Sequence, residues 1–180
     1  MTKRGTNFPR GETGVLYFER TDYRLEYHND PPEKTARTRH PVHETWMTTG
    51  DLGYLDADGF LFLTGRDNFT IISGGVNIYP QEIENLLALH PAVADVAVVG
   101  GVPDRDRGER VEAFVQLVPG VAPGDDTERD IIDYCRDRLS SFKCPRRVRF
   151  VGDLPRTPTG KMVKGTLREL IDTYADAEAR

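Results

Sequence analysis

Between Trp46 and Glu84 the chain leaves itself few ways to fold. Tyr54-Leu55 and Phe60-Leu61-Phe62-Leu63 flank Asp56-Ala57-Asp58-Gly59. The glycine supplies the positive φ that a tight turn needs, so Trp46–Thr64 reads as a hairpin. Gly65-Arg66 leads into a second hairpin, Thr70-Ile71-Ile72 against Val76-Asn77-Ile78, turning at Gly74-Gly75. Pro80 suits the first position of a helix. Ile83, Leu86 and Leu87 follow at i, i+3 and i+4 as one apolar stripe, which Pro91 ends.

Downstream, Val93–Gly100 is a Val/Ala run interrupted by Asp95, and Val111, Ala113, Val115 and Leu117 alternate with Glu112 and Gln116. Both read as buried strands. The charged, Gly/Pro-containing segment Pro103–Arg110 between them reads as a solvated loop. Thr127, with Asp130 three residues on, predicts a helix N-cap. Ile131, Ile132, Cys135 and Leu139 then form one stripe, which makes Cys135 a core residue. A short strand over Val148–Val151 precedes a final helix that turns Val163, Leu167, Leu170 and Ile171 inward and frays from Asp172 onward. The expected fold is α+β: a small sheet with a β-hairpin and packed helices, from about Arg66 to Tyr174.

Residues 1–45 read as the edge of something larger. Gly14–Glu19 is β-branched and aromatic and predicts a strand after a Gly11–Gly14 turn. Asn29-Asp30-Pro31-Pro32 is a hard break. Too few apolar residues occur here to close a core alone. The domain division expected is 1–65, a β-rich remnant, and 66–180.

Composition excludes several functions. A net charge of −5 gives no basic footprint for nucleic acid. No apolar run approaches the roughly 20 residues of a membrane span, and the positive N-terminus has no apolar segment behind it to make a signal peptide. Cys135 and Cys144 match no zinc spacing and read as structural, in keeping with a reducing cytoplasm. No metal site is expected within the chain.

The order Thr49-Gly50-Asp51, Gly65-Arg66, Ser73-Gly74-Gly75, Pro80-Gln81-Glu82 and Pro155-Arg156-Thr157-Pro158-Thr159-Gly160-Lys161 resembles the C-terminal end of adenylate-forming enzymes, the acyl-CoA synthetase and luciferase superfamily. Pro31-Pro32-Glu33-Lys34-Thr35 resembles that family's N-P-E-x-T helix. The resemblance implies a mobile C-terminal domain preceded by the trailing edge of a large N-terminal domain. That large domain's Gly-rich phosphate loop and acyl pocket have no counterpart in this sequence.

From the resemblance follow candidate roles. Asp51 would accept hydrogen bonds from the ribose hydroxyls of ATP, since an ionised carboxylate only accepts and a vicinal diol donates twice. Arg66, in the Gly65-Arg66 step that begins fourteen residues after Asp51, would meet the nucleotide with rigid donors. Asn68 stands at the hinge position, where aspartate or lysine is usual. Ser73, Gly74 and Gly75 would line the pantetheine tunnel of CoA, where glycine admits close backbone approach. Phe142-Lys143 resembles a step that packs on the nucleotide of CoA. A helix-ending turn with a buried Phe stands beside that reading. Lys161 would reach into the active site during adenylation.

The expected function is thus the C-terminal domain of an ATP-dependent acyl-CoA synthetase, inactive alone. Carboxylic acid and ATP would give acyl-AMP, then acyl transfer to CoA, with Mg²⁺ held mainly by the large domain. Two alternatives stand: an adenylation domain loading a carrier protein, and a non-catalytic nucleotide- or partner-binding module. No carrier domain follows Leu170, which favours CoA.

Overall fold

Alternation along β11 (Gly108–Leu117) sets the architecture of the larger of two packing units, 69–180 and 1–68. Val111, Ala113 and Val115 point to one face, Glu112 and Phe114 to the other, and all five are buried. The structure, a computed structural model, describes all residues but 1, 4–5, 8, 23, 105–107 and 179–180. Of 2–3, 6–7, 102–104 and 172–178 it describes the backbone only.

The smaller unit comes first in the chain. β1 (Thr2–Lys3) and β2 (Thr6–Asn7) pair with each other. β3 (Gly14–Val15) and β4 (Phe18–Glu19) follow, then helix α1 (Pro32–Ala36) and β5 (Trp46–Met47). β6 (Asp51–Leu55) and β7 (Leu61–Arg66) are the predicted hairpin, with Gly59 at φ +88°. The Asp56 carboxylate accepts the N–H groups of Asp58 and Phe60 and closes the turn from the side. The single strand expected over Gly14–Glu19 is two short ones: β3 pairs with β6, and β4 with β5. Among the described residues Leu16, Met47 and Leu52 are the buried apolar side chains here, whereas Phe60, Leu61, Phe62 and Leu63 are each 45–67% exposed.

His40 is the pivot of a polar and aromatic knot in this unit. Its Nδ1 accepts the N–H groups of Val42 (3.1 Å) and His43 (3.0 Å), which puts the ring proton on Nε2, buried without a partner. Tyr17 and Trp46 meet its ring edge-on, and His43 stacks on Trp46 at 4.3 Å. Burial, and secondarily the neighbouring His43, hold the His40 pKa below the ordinary value. A folded state that disfavours the proton loses stability as pH falls below about 6.5, where the unfolded imidazole takes one up. Above that value the contribution is complete. Trp46 is the only tryptophan, so its emission reports the change. In a His43→Gln variant, which removes direct quenching by the stacked ring, acidification should shift Trp46 emission with a midpoint below 6.5. A midpoint at or above that value would show that His40 is not held neutral.

The larger unit begins at the 3₁₀ turn Asp67–Phe69, which straddles the division, and passes through β8 (Ile71–Ser73) and β9 (Val76–Ile78). Helix α2 (Pro80–Leu87) follows, then β10 (Val93–Asp104), β11, α3 (Asp125–Arg136), β12 (Arg147–Phe150) and α4 (Lys164–Glu178). The sheet runs β10-β11-β8-β9, with β12 added to β11 in parallel. Ile83 and Leu87 of α2 and Ile131 and Cys135 of α3 cover one face with Val98, Val111 and Val115. Leu167 and Ile171 of α4 cover the other with Ala97, Val99 and Phe114. Burial on both faces is why Val93–Gly100 reads as a nearly unbroken apolar run.

Three expectations change in this unit. The strands run into the charged segment, pairing Pro103 with Glu109 and Asp104 with Gly108 across an irregularity after Gly100. Two of its charges have protein partners: Glu109 accepts the Ile72 N–H at 2.9 Å, and Arg110 pairs with buried Glu112 at 2.6 Å. Residues 105–107 lie outside the described residues. Next, α3 starts at Asp125 behind Gly124, so Thr127 is not its cap. The Thr127 hydroxyl donates to the Ala122 carbonyl, while Asp125, Asp126 and Glu128 favour the positive end of the helix. Last, α4 continues past Asp172 to Glu178, and Leu170 faces outward at 38% exposure. Among the described residues no helix is long and apolar enough to cross a membrane.

Candidate functional site

The smaller unit presents a carboxylate and a guanidinium together. β6 begins at Asp51 and β7 ends at Arg66, and the hairpin register sets them opposite one another. Arg66 Nε lies 3.0 Å from Asp51 Oδ1, and the Thr49 hydroxyl donates to Oδ2 at 2.6 Å. Gly50 takes φ +82°, its N–H donating to the Thr48 hydroxyl and its carbonyl accepting from Asp67 N–H. Asp51 is 30% exposed and Arg66 43%. Both are therefore partly open to solvent, a carboxylate that only accepts beside a guanidinium that only donates.

The larger unit carries two further features. Arg156–Met162 is a small closed turn: Thr157 N–H donates to Lys161 O, Gly160 N–H to Thr157 O, and Val163 N–H to Pro155 O. Gly160 takes φ +85°, which favours glycine at that corner. The Lys161 backbone N–H donates to the Thr157 hydroxyl at 3.1 Å, and the residue itself is exposed. An ammonium on a braced turn is suited to reaching an anion outside its own unit.

The second feature is a cavity of about 260 Å³ beside the Gly74-Gly75 turn. Ser73, Gly74 and Phe142 line it, together with Arg110, Cys144 and Arg146. Gly74 (φ +58°) and Gly75 (φ +77°) form the two-residue turn that joins β8 to β9, and among the described residues, chain neighbours aside, neither has an atom within 4 Å of where a Cβ would stand. Lys143 is turned elsewhere, its ammonium 2.8 Å from both oxygens of Glu82. Arg110, read as part of a solvated loop, and Arg146 are lining residues that sequence reading passed over; the signal for Arg146 was the basic pair Arg146-Arg147 directly after Pro145. Asn68 lies in the 3₁₀ turn at the division of the two units.

Neither cysteine is poised as a nucleophile. Burial pushes the Cys135 thiol up to about 12 and the Cys144 thiol upward too, and both are free. Among the described residues no three or more His, Cys, Asp or Glu side chains are grouped so that they could hold a metal ion.

Residues 82–161 match the AMP-binding enzyme C-terminal domain family. A propanoyl:CoA ligase from Rhodococcus jostii, its acyl group bearing a 7a-methyl-1,5-dioxo-octahydroindenyl ring, is 44% identical over 88% of the chain and 30% of its own length. The fatty acid–acyl-carrier-protein ligase ScoC of Streptomyces coeruleorubidus is 41% identical over 98% of the chain and 32% of its own length. The crystal structure of the anthranilate CoA ligase AuaEII with anthranoyl-AMP superposes with a TM-score of 0.82. It is 34% identical over 97% of this chain and 33% of that one. The chain thus spans about a third of the length of these relatives.

Proposed function

Residues 82–161 belong to the AMP-binding enzyme C-terminal domain family, and from that premise we propose that this chain serves an AMP-forming acid–CoA ligase. On this reading 66–180 is the small catalytic domain, 1–65 is the closing part of a large N-terminal domain, and Asn68 is the pivot between them. The observation that carries the reading is Lys161 exposed on a braced turn. A carboxylate and the α-phosphate of ATP are both anionic, and bringing them together is costly. An ammonium between their oxygens offsets the repulsion and follows the charge that develops in the transition state. Asp51 and Arg66 hold the ribose and phosphate side of the nucleotide.

Acyl transfer then goes to CoA. The cavity flanked by Gly74 and lined by Phe142 and Arg146 supports this, since an exposed ring and a guanidinium suit an adenine nucleotide with phosphates. The likeness to ScoC favours a second reading, in which the thiol belongs to a carrier protein that has no adenine to stack. Titrating CoA against the chain distinguishes them: binding weakened by Arg146→Ala supports CoA, and no binding supports a carrier. The free buried thiols suit a cytoplasmic enzyme.

The chain alone is expected to form no acyl adenylate, because no Gly-rich phosphate cradle precedes Thr49 in the sequence. Acid-dependent ATP–pyrophosphate exchange by the purified chain, above a Lys161→Ala control, would overturn this.

A further inference from the structure

We infer that Asp95 and Arg156 form a clasp that positions Lys161, so that Arg156 is a positioning residue for adenylation. The inference rests on the reading of Lys161 given above. Asp95 is the one charge in the apolar run Val93–Gly100, and no role in the sheet core explains it. It stands where the β10–β11 register shifts, between Val93 and Asp95, and its Oδ1 accepts the N–H of Val96 at 2.9 Å. That local bond fixes the carboxylate and leaves Oδ2 to face the loop after β12.

Arg156 reaches Oδ2 with Nη2 at 2.6 Å and donates from Nη1 to the carbonyl of Gly160 at 2.8 Å. One planar guanidinium thus links the sheet to the residue immediately before Lys161. Its donors have fixed geometry, so the link sets direction as well as distance. The far end of the loop is fixed separately, where Lys164 Nζ lies 2.5 Å from Glu84 Oε1 at the start of α4. Between these anchors stands the 157–161 turn, closed by its own hydrogen bonds.

Asp95 and Arg156 are 33% and 42% exposed. Exposed pairs add little to global stability. The effect expected is local: the turn keeps its shape, and the ammonium is presented in one direction. Misplacing a reacting group by about 1 Å can cost up to roughly 10²-fold in rate.

The test uses the full-length enzyme for activity and the 180-residue chain for dynamics. Arg156→Met and Asp95→Asn should each slow acid-dependent pyrophosphate exchange about 10-fold, with little change in KM for ATP. The double variant should be no worse than either alone. Thioester formation from supplied acyl adenylate should be unchanged. In a Lys161→Ala background, Arg156→Met should add nothing, because the clasp acts only through Lys161. In the chain itself, amide exchange at 157–161 should quicken in both variants while Val96–Val99 stay protected.

Equal slowing by Arg156→Met with and without Lys161, loss in both half-reactions, or unchanged exchange at 157–161 would each overturn the clasp. Should Lys161→Ala matter and Arg156→Met not, the clasp alone falls. Should Lys161→Ala itself leave adenylation intact, the reading of Lys161 falls and the clasp falls with it.

Discussion

Lys161→Ala is expected to slow adenylation by about 10²–10³-fold in the full-length enzyme, the scale of removing one group that stabilises charge in a transition state. Acyl transfer from supplied acyl adenylate should stay near its normal rate. The asymmetry has a physical cause. Adenylation brings together two anions, a carboxylate and a phosphate, whereas a thiol attacking an acyl adenylate meets no such pairing. The turn that carries Lys161 closes on its own hydrogen bonds, through Thr157, Gly160 and Val163. Replacing the exposed side chain therefore leaves the fold intact, and a loss of rate can be assigned to the missing ammonium. Assaying each half-reaction separately decides the matter; equal loss in both would mean that the loop serves the fold only.

Gly75→Leu is expected to do the reverse. Thioester formation should fall by about 10²-fold, the cost of holding reacting groups out of line, while pyrophosphate exchange survives. Among the described residues, chain neighbours aside, none lies within 4 Å of a Cβ placed at Gly75. A side chain there projects from the turn and would obstruct a molecule arriving from outside, such as a pantetheine arm. The backbone adds a complication, because φ of +77° strains any residue with a branched or bulky side chain. Gly75→Asn separates the two effects, since asparagine tolerates the left-handed region with a small side chain. Near-normal thioester formation in Gly75→Asn, set against its loss in Gly75→Leu, would support obstruction. Parallel loss in both variants, or loss of both half-reactions, would place the effect in the hairpin's own stability.

Legibility in the sequence followed the range of the forces involved. The turns at Gly59 and Gly74-Gly75 depend on backbone preferences of the residues that make them, and those hairpins were readable as written. The stripes Ile83–Leu87 and Ile131–Cys135 were readable because helical spacing is also local. Glu109 and Arg110 misled because their partners, the Ile72 amide and Glu112, arrive through tertiary structure. A charged stretch with such partners can continue a strand; the same letters without them make a loop. Thr127 had the look of a cap, but two aspartates and a glycine upstream had already started the helix.

At the candidate site the same distinction holds. The T-G-D and G-R motifs were visible as motifs, whereas the direct Asp51–Arg66 ion pair depends on a register that shifts between Leu52 and Gly53. Gly53 sits at that shift, with the Phe62 carbonyl 2.5 Å from where its Cβ would stand. Lys143 is turned to Glu82, a partner 61 residues away that no spacing rule reveals. The clasp from Asp95 to Arg156 spans the same separation.

The parallel pairing of β12 on β11 sets the order in which this unit can be completed. Until 147–150 have been synthesised, the 112–115 edge of β11 is an open row of backbone donors and acceptors, a template for another chain. Over the same interval Glu112 has Arg110 but lacks Arg149, whose Nε lies 2.6 Å from it in the finished fold. A buried carboxylate with half its compensation disfavours closing the core early. The nascent sheet is thus held both sticky at its edge and loose at its centre until a four-residue strand near the end of the domain arrives.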